Sequence, residues 1–117
     1  MTGKLLWAWD PARPDQSAPL KDGEHYVNNS PNSWGVSSVD EKLGLAYIPM
    51  GNQTPDTWGG DRIPEAEKYN SAIVALDLAT GKVRWVYQTM HHDIWDMDMA
   101  ASPVWSTWIV TAARFRP

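Results

Sequence analysis

The hexad Thr2-Gly3-Lys4-Leu5-Leu6-Trp7 returns 78 residues later as Thr80-Gly81-Lys82-Val83-Arg84-Trp85. A repeat at long period means that one supersecondary unit is used again, which restricts the fold more tightly than composition does. Each copy reads as a turn followed by a strand. The second copy is preceded by Ser71-Ala72-Ile73-Val74-Ala75-Leu76-Asp77, an apolar β-type run, so the unit is strand, Thr-Gly turn, strand: a hairpin. A further strand is expected over 43–49, closed by Pro49 and Gly51, with a weaker one over 33–39 in front of it. No segment sustains a 3.6-residue period over three turns, so helices should be short or absent.

Hairpins punctuated by Gly and Trp predict an all-β chain, a partial β-propeller of about one to two four-stranded antiparallel blades. The 78-residue spacing exceeds the usual blade period of about 40–50 residues. Two Pro- and Gly-rich stretches, 10–32 and 51–69, are expected to absorb the excess as long loops. A segment of this size leaves strand edges and apolar faces open where a closed propeller would cover them.

Composition narrows the function classes. Eight Trp stand against one Phe, an aromatic balance that generic core filling does not explain. The net charge of −4 offers no basic stripe for a phosphate backbone, which argues against nucleic acid as a partner. No apolar run reaches the roughly 18–20 residues needed to span a bilayer, and Met1-Thr2-Gly3-Lys4 does not open a signal-peptide core. With no Cys there is no disulfide, thiolate metal site or thiol nucleophile.

The densest polar cluster is His91-His92-Asp93-Ile94-Trp95-Asp96-Met97-Asp98, at the exit of the strand expected after Gly81. Its residues suit either a divalent-metal loop or a solvated loop whose Asp side chains satisfy turn amides. Two glycosylation sequons, at Asn28 and Asn52, are matches of a kind common by chance.

Three motifs taken in order are more specific. Asn29-Ser30-Pro31-Asn32-Ser33-Trp34, then Met50-Gly51-Asn52-Gln53-Thr54-Pro55-Asp56-Thr57-Trp58-Gly59-Gly60, then Tyr87-Gln88-Thr89-Met90-His91-His92-Asp93-Ile94-Trp95-Asp96-Met97-Asp98, resemble the pyrroloquinoline quinone (PQQ) dehydrogenases of the glucose and quinate type. The resemblance covers about residues 2–103. It implies that the indole of Trp34 lies flat on the quinone, where a large rigid π-face gives stacking at little entropy cost. It implies that Asn52, 18 residues after Trp34, is a ligand of a hard divalent ion, Ca2+ or Mg2+. Asp96 takes the place of the base that removes the substrate's hydroxyl proton while hydride passes to the quinone. His91 and His92 are expected to orient a sugar or polyol, or to support the loop by hydrogen bonding. If residues 95–98 are extended, Asp96 and Asp98 share a face opposite Trp95. The resemblance further implies electron transfer to ubiquinone, and a parent enzyme at the periplasmic face of the inner membrane whose anchor lies outside this sequence.

The resemblance fades after Ala101-Ser102-Pro103. Reading Val104-Trp105-Ser106-Thr107-Trp108 two bases later restores a strand-like pattern, so residues 104–117 are expected to be an out-of-frame tail, and Met1 an internal start. The family's quinone-binding lysine falls beyond the tail and other contacts upstream, so the segment alone should be inactive. Two further readings share these residues: a non-catalytic propeller module used for protein interaction, and a metal-binding loop protein built on His91 to Asp98.

Overall fold

The computed structural model describes residues 2–101, 103 and 104. Four strands, β1 (Ser38–Asp40), β2 (Leu45–Met50), β3 (Ala72–Asp77) and β4 (Val83–Gln88), form one antiparallel sheet in the order β1-β2-β3-β4. This is a single four-stranded meander, the unit of a propeller blade. The only other regular element among the described residues is a 3-10 turn, Glu67–Tyr69.

The two short connections are built alike. Each starts on an Asp at the end of a strand and reaches a Gly four residues later with positive φ, Asp40 to Gly44 (φ 65°) and Asp77 to Gly81 (φ 68°). The Asp side chain caps the turn: Asp40 Oδ1 accepts from the amides of Lys42 and Leu43 at 2.9 and 3.0 Å. Asp77 Oδ1 accepts from the amides of Ala79 and Thr80 and from the Thr80 hydroxyl, at 2.9–3.1 Å. The Thr80 hydrogen bond leads the effects that hold the Asp77 carboxyl below its usual range, outweighing partial burial. Asp and Gly thus do the turn chemistry expected of them.

β2 and β3 are central, pairing from Leu45↔Asp77 to Met50↔Ala72. Both are largely buried, whereas β4 has no buried residue. Pro49 is tolerated within β2 because β1 pairs only with Leu45, Ala46 and Tyr47, leaving the Pro49 position outside that ladder. A bulge between Ala75 and Leu76 of the β3–β4 pairing places an extra residue on β4, since Ala75 faces Trp85 and Leu76 faces Val83. One face of the sheet carries Met50, Val74 and Leu76 with Tyr69, covered by Trp7 and Trp9. The other carries Leu45, Tyr47 and Ala75, and Tyr47 meets Trp85 with ring centroids 5.7 Å apart.

The two copies of the repeat have different fates. The second forms the β3–β4 turn and the start of β4. The first forms no strand, because no strand lies beside residues 2–7 among the described residues to complete a ladder. Its Trp7 instead donates its indole N–H to the Leu78 carbonyl at 2.8 Å. The ring lies on Gly81, where an added Cβ would come within 2.5 Å of it. The 10–32 stretch is the expected loop, pinned by Asp10. The tail over 105–117 lies outside the described residues.

Candidate functional site

Three loops converge where β2 ends. The Gly51 amide donates to Asn32 O at 2.7 Å, and the Met99 amide donates to Met50 O at 3.2 Å, so residues 32–35 and 97–100 flank the 50–52 corner. Glycine permits the approach. A Cβ on Gly35 would stand 2.8 Å from the Ala100 carbonyl oxygen, and one on Gly51 would stand 3.1 Å from both Asp98 Oδ1 and Trp34 Nε1.

Trp34 is 60% exposed, and its indole N–H is engaged by Asp98 Oδ2 at 2.8 Å. The other Asp98 oxygen accepts from the Asn52 amide at 2.6 Å. The ring is therefore held at its edge. That arrangement fits a stacking surface for a flat cofactor, because the one polar group of the indole is satisfied without covering the ring.

Asn52 is placed differently from the expectation of a metal ligand. It is 1% exposed, and its side-chain oxygen accepts from Arg62 Nη1 at 2.8 Å and from the Gln53 amide at 3.2 Å. Its NH2 donates to the carbonyls of Asp56 and Asp93 at 2.9 and 3.0 Å. An amide oxygen has two lone pairs, and here both face donors, one a guanidinium. A cation does not fit at that oxygen. Burial also takes Asn52 out of reach as a sequon. Among the described residues no group of three or more His, Asp or Glu side chains is gathered to hold a metal.

Arg62 explains why the amide is turned inward. Its side chain is 3% exposed, and its second terminal nitrogen donates to the Asp56 carbonyl at 3.0 Å and to the Asp93 carbonyl. One guanidinium thus ties the 52–56 loop to the 93 loop. Nothing in the sequence near Gly59-Gly60-Asp61-Arg62 marks that role, since its acceptors are an amide oxygen and two main-chain carbonyls.

Asp93 is wholly buried. Its carboxylate accepts from the Ser71 hydroxyl at 2.5 Å and from the amides of Trp95 and Met97 at 2.9 and 2.8 Å. Burial alone would raise its pKa; the Ser71 bond, the two amides and the Arg62 charge outweigh it and hold the carboxyl below its usual range. The local signal was an Asp two and four residues ahead of amides that need an acceptor.

Asp96 takes the opposite course. It is exposed, adopts a left-handed φ of 60°, and so breaks the alternation that would have put it on one face with Asp98. Partial burial, then the charges of Asp98, Asp56 and Asp93, raise its pKa. A carboxylate pushed up in this way is a better proton acceptor than an ordinary one. His91 and His92 precede it in the same loop: His92 Nδ1 pairs with Glu67 Oε1 at 2.9 Å, and His91 Nδ1 with Gln88 Oε1 at 2.8 Å. Gly59 lies under His92, where any side chain would overlap the imidazole. Both rings are anchored at one nitrogen.

The loops at the end of a four-stranded antiparallel blade thus carry an exposed, edge-held indole and a raised carboxylate. Residues 1–115 match the family described as PQQ glucose/ethanol/alcohol dehydrogenase, beta-propeller domain, and the chain belongs to that family. It is 55% identical over 102 residues to the quinoprotein glucose dehydrogenase of Escherichia coli (strain K12), covering 87% of this chain and 13% of that protein. It is 47% identical over 103 residues to the quinate/shikimate dehydrogenase (quinone) of Acinetobacter baylyi, covering 88% of this chain and 13% of that protein. The crystal structure of quinohemoprotein alcohol dehydrogenase from Comamonas testosteroni is similar with a TM-score of 0.54 and 32% identity, over 63% of this chain and 11% of that one. The chain thus spans about an eighth of the length of these relatives.

Proposed function

We propose that this chain is the propeller segment of a PQQ-dependent dehydrogenase that seats the quinone on Trp34 and supplies Asp96 as the base for oxidation of a hydroxyl group. The observation that carries the reading is the pairing, on converging loops, of an edge-held exposed indole with a carboxylate whose pKa is raised. When bound, the quinone supplies the hydride acceptor. Asp96 receives the proton of the substrate hydroxyl, and the charges of Asp98, Asp56 and Asp93 around it favour its keeping that proton. Trp34 orients the bound ring plane. His91 and His92 position the polar groups of the substrate with the ring nitrogen each has left.

The substrate class is a sugar or polyol, such as glucose or quinate, by similarity to the relatives. Electrons leave to ubiquinone in the parent enzyme, at the periplasmic face of the inner membrane. A calcium or magnesium ion in that enzyme would need donors other than the Asn52 oxygen, which faces Arg62. The segment alone has one wall of the pocket, and it is expected to give no glucose-dependent dye reduction with added PQQ.

A chimera tests the reading. Residues 2–103 would replace the matching segment of the Escherichia coli glucose dehydrogenase, and PQQ-dependent dye reduction would be measured with glucose and quinate. Turnover is expected, falling on the order of 10²–10⁴-fold on Asp96→Asn, as for loss of a general base. A chimera that binds PQQ and turns over equally fast with and without Asp96 would sink the assignment and favour a non-catalytic propeller module.

A further inference from the structure

We propose that Asp98 is the positioning residue of this site: its carboxylate clamps the Trp34 indole to the 51–52 corner and so fixes the plane on which the quinone is seated. The inference rests on the reading of Trp34 as the quinone's stacking surface.

Three observations converge on it. The first is that the two oxygens of one carboxylate are divided between two loops, Oδ2 to the Trp34 indole N–H at 2.8 Å and Oδ1 to the Asn52 amide at 2.6 Å. An indole has a single N–H, so this bond sets the rotation of the ring about its long axis, a freedom that a ring 60% exposed would otherwise keep. The second is that the residues beside the clamp are glycines where they must be. Gly51 leaves room for both Asp98 Oδ1 and Trp34 Nε1, each 3.1 Å from where a Cβ would stand, and Gly35 admits the Ala100 carbonyl. The third is the main-chain bond from Met99 N to Met50 O at 3.2 Å, which docks the residue after Asp98 on the end of β2. The carboxylate is thus delivered by the sheet.

The arrangement has a functional consequence. Asp98 lies two residues beyond Asp96, so the base and the stacking surface belong to one connected unit in place of two independent loops. A charge-assisted bond of this kind, partly exposed, is worth about three- to tenfold in the affinity of whatever the indole holds. Asp98→Asn keeps the shape but offers one acceptor and one donor to two N–H groups, so one of the two loops must be released. Asp98→Glu keeps both acceptors and is the variant expected to recover the clamp in part.

The experiment uses the 117-residue chain, labelled with 15N and observed by NMR. The eight Trp residues give eight indole N–H signals to be separated, and Trp34→Phe identifies that of Trp34. This signal is expected to exchange slowly with solvent despite the exposure of its ring. Asp98→Asn is expected to shift it and speed its exchange while the signals of β2 and β3 stay in place, and Asp98→Glu to restore part of the protection. PQQ binding is then measured by equilibrium dialysis on the chimera that carries residues 2–103 in the Escherichia coli glucose dehydrogenase. Asp98→Asn is expected to weaken binding about three- to tenfold in the Trp34 background and by less than twofold in the Trp34→Phe background, where no indole N–H remains. A Trp34 indole signal unaltered by both Asp98→Asn and Asp98→Ala in a folded chain overturns the clamp. Slow, Asp98-dependent exchange in the chain together with no binding of PQQ by the chimera leaves the clamp in place and overturns the quinone seat. An equal loss of PQQ affinity in both backgrounds shows that Asp98 acts on the corner rather than through the indole, and overturns the positioning role.

Discussion

Two loops of this chain are each organised by a buried aspartate, and they differ in what they leave over. In the 10–27 loop, Asp10 accepts from the amides of Ala12 and Val27 at 2.9 and 3.1 Å and meets Arg13 at 3.4 Å. In the 91–98 loop, Asp93 collects the Ser71 hydroxyl and the amides of Trp95 and Met97, and a second carboxylate, Asp96, is turned outward at positive φ. The first carboxylate serves only the chain that contains it. The second satisfies the backbone so that its neighbour need not. Placing Asp96 in the left-handed region among like charges costs free energy, on the order of 1 kcal/mol for the conformation alone, and the bonds to Asp93 are what hold the loop there.

The largest effect is expected from Asp93→Ala. It removes three hydrogen bonds and leaves the buried Ser71 hydroxyl and the Trp95 and Met97 amides without their acceptor, for about 3 kcal/mol of stability. Equilibrium denaturation in urea measures it, and a loss under 1 kcal/mol would mean that the 91–98 loop is held by something else. Asp10→Ala is expected to cost less, about 1–2 kcal/mol, because its loop is closed on fewer elements and its Arg13 partner is 31% exposed. If the two losses are equal, the distinction between the loops collapses.

Acid sharpens the same contrast. Asp93 binds its proton less readily folded than unfolded, so its stabilisation is in place above the ordinary carboxyl value of 3.8 and is lost as pH falls through the lower folded value. Asp96 runs the other way: its contribution is present below 3.8 and is lost as pH rises through the raised value. Denaturation midpoints between pH 2 and 6, a range chosen to bracket roughly both transitions, should therefore fall in acid for the wild type and flatten for Asp93→Asn. The smallest effect is a slight gain in midpoint for Asp96→Asn at neutral pH, where like-charge repulsion is relieved; a clear loss would show that Asp96 is structural.

The parts legible in the sequence are those written in local chemistry. The 71–77 run, the Thr-Gly turn and the strand after it read directly, because β propensity and turn residues agree there. β1 is shorter and later than the expected 33–39 strand, since Ser33 and Gly35 are drawn into the site corner. The first repeat copy misleads because a strand needs a ladder partner as well as a strand sequence. At the site, motif resemblance pointed to Trp34 and Asp96, while the setting of each depends on Asp98, Asp93 and Arg62. Those three act through contacts 22 to 64 residues apart in sequence, and an Asp or Arg gives no local sign of which distant amide or carbonyl it will meet. The resemblance that pointed to Asn52 likewise gave no sign that its oxygen would meet Arg62.

The seating of Trp7 on Gly81 also sets an order of events. Synthesis runs from the N-terminus at about 5–20 residues per second, so the Trp7 indole, made 74 residues ahead of Gly81, has no seat until the β3–β4 turn has been made. For several seconds the chain must carry that apolar ring exposed. The blade is therefore closed last by a segment made before any of its strands, and a substitution at Gly81 would lengthen the interval in which a half-built sheet offers its open face to other chains.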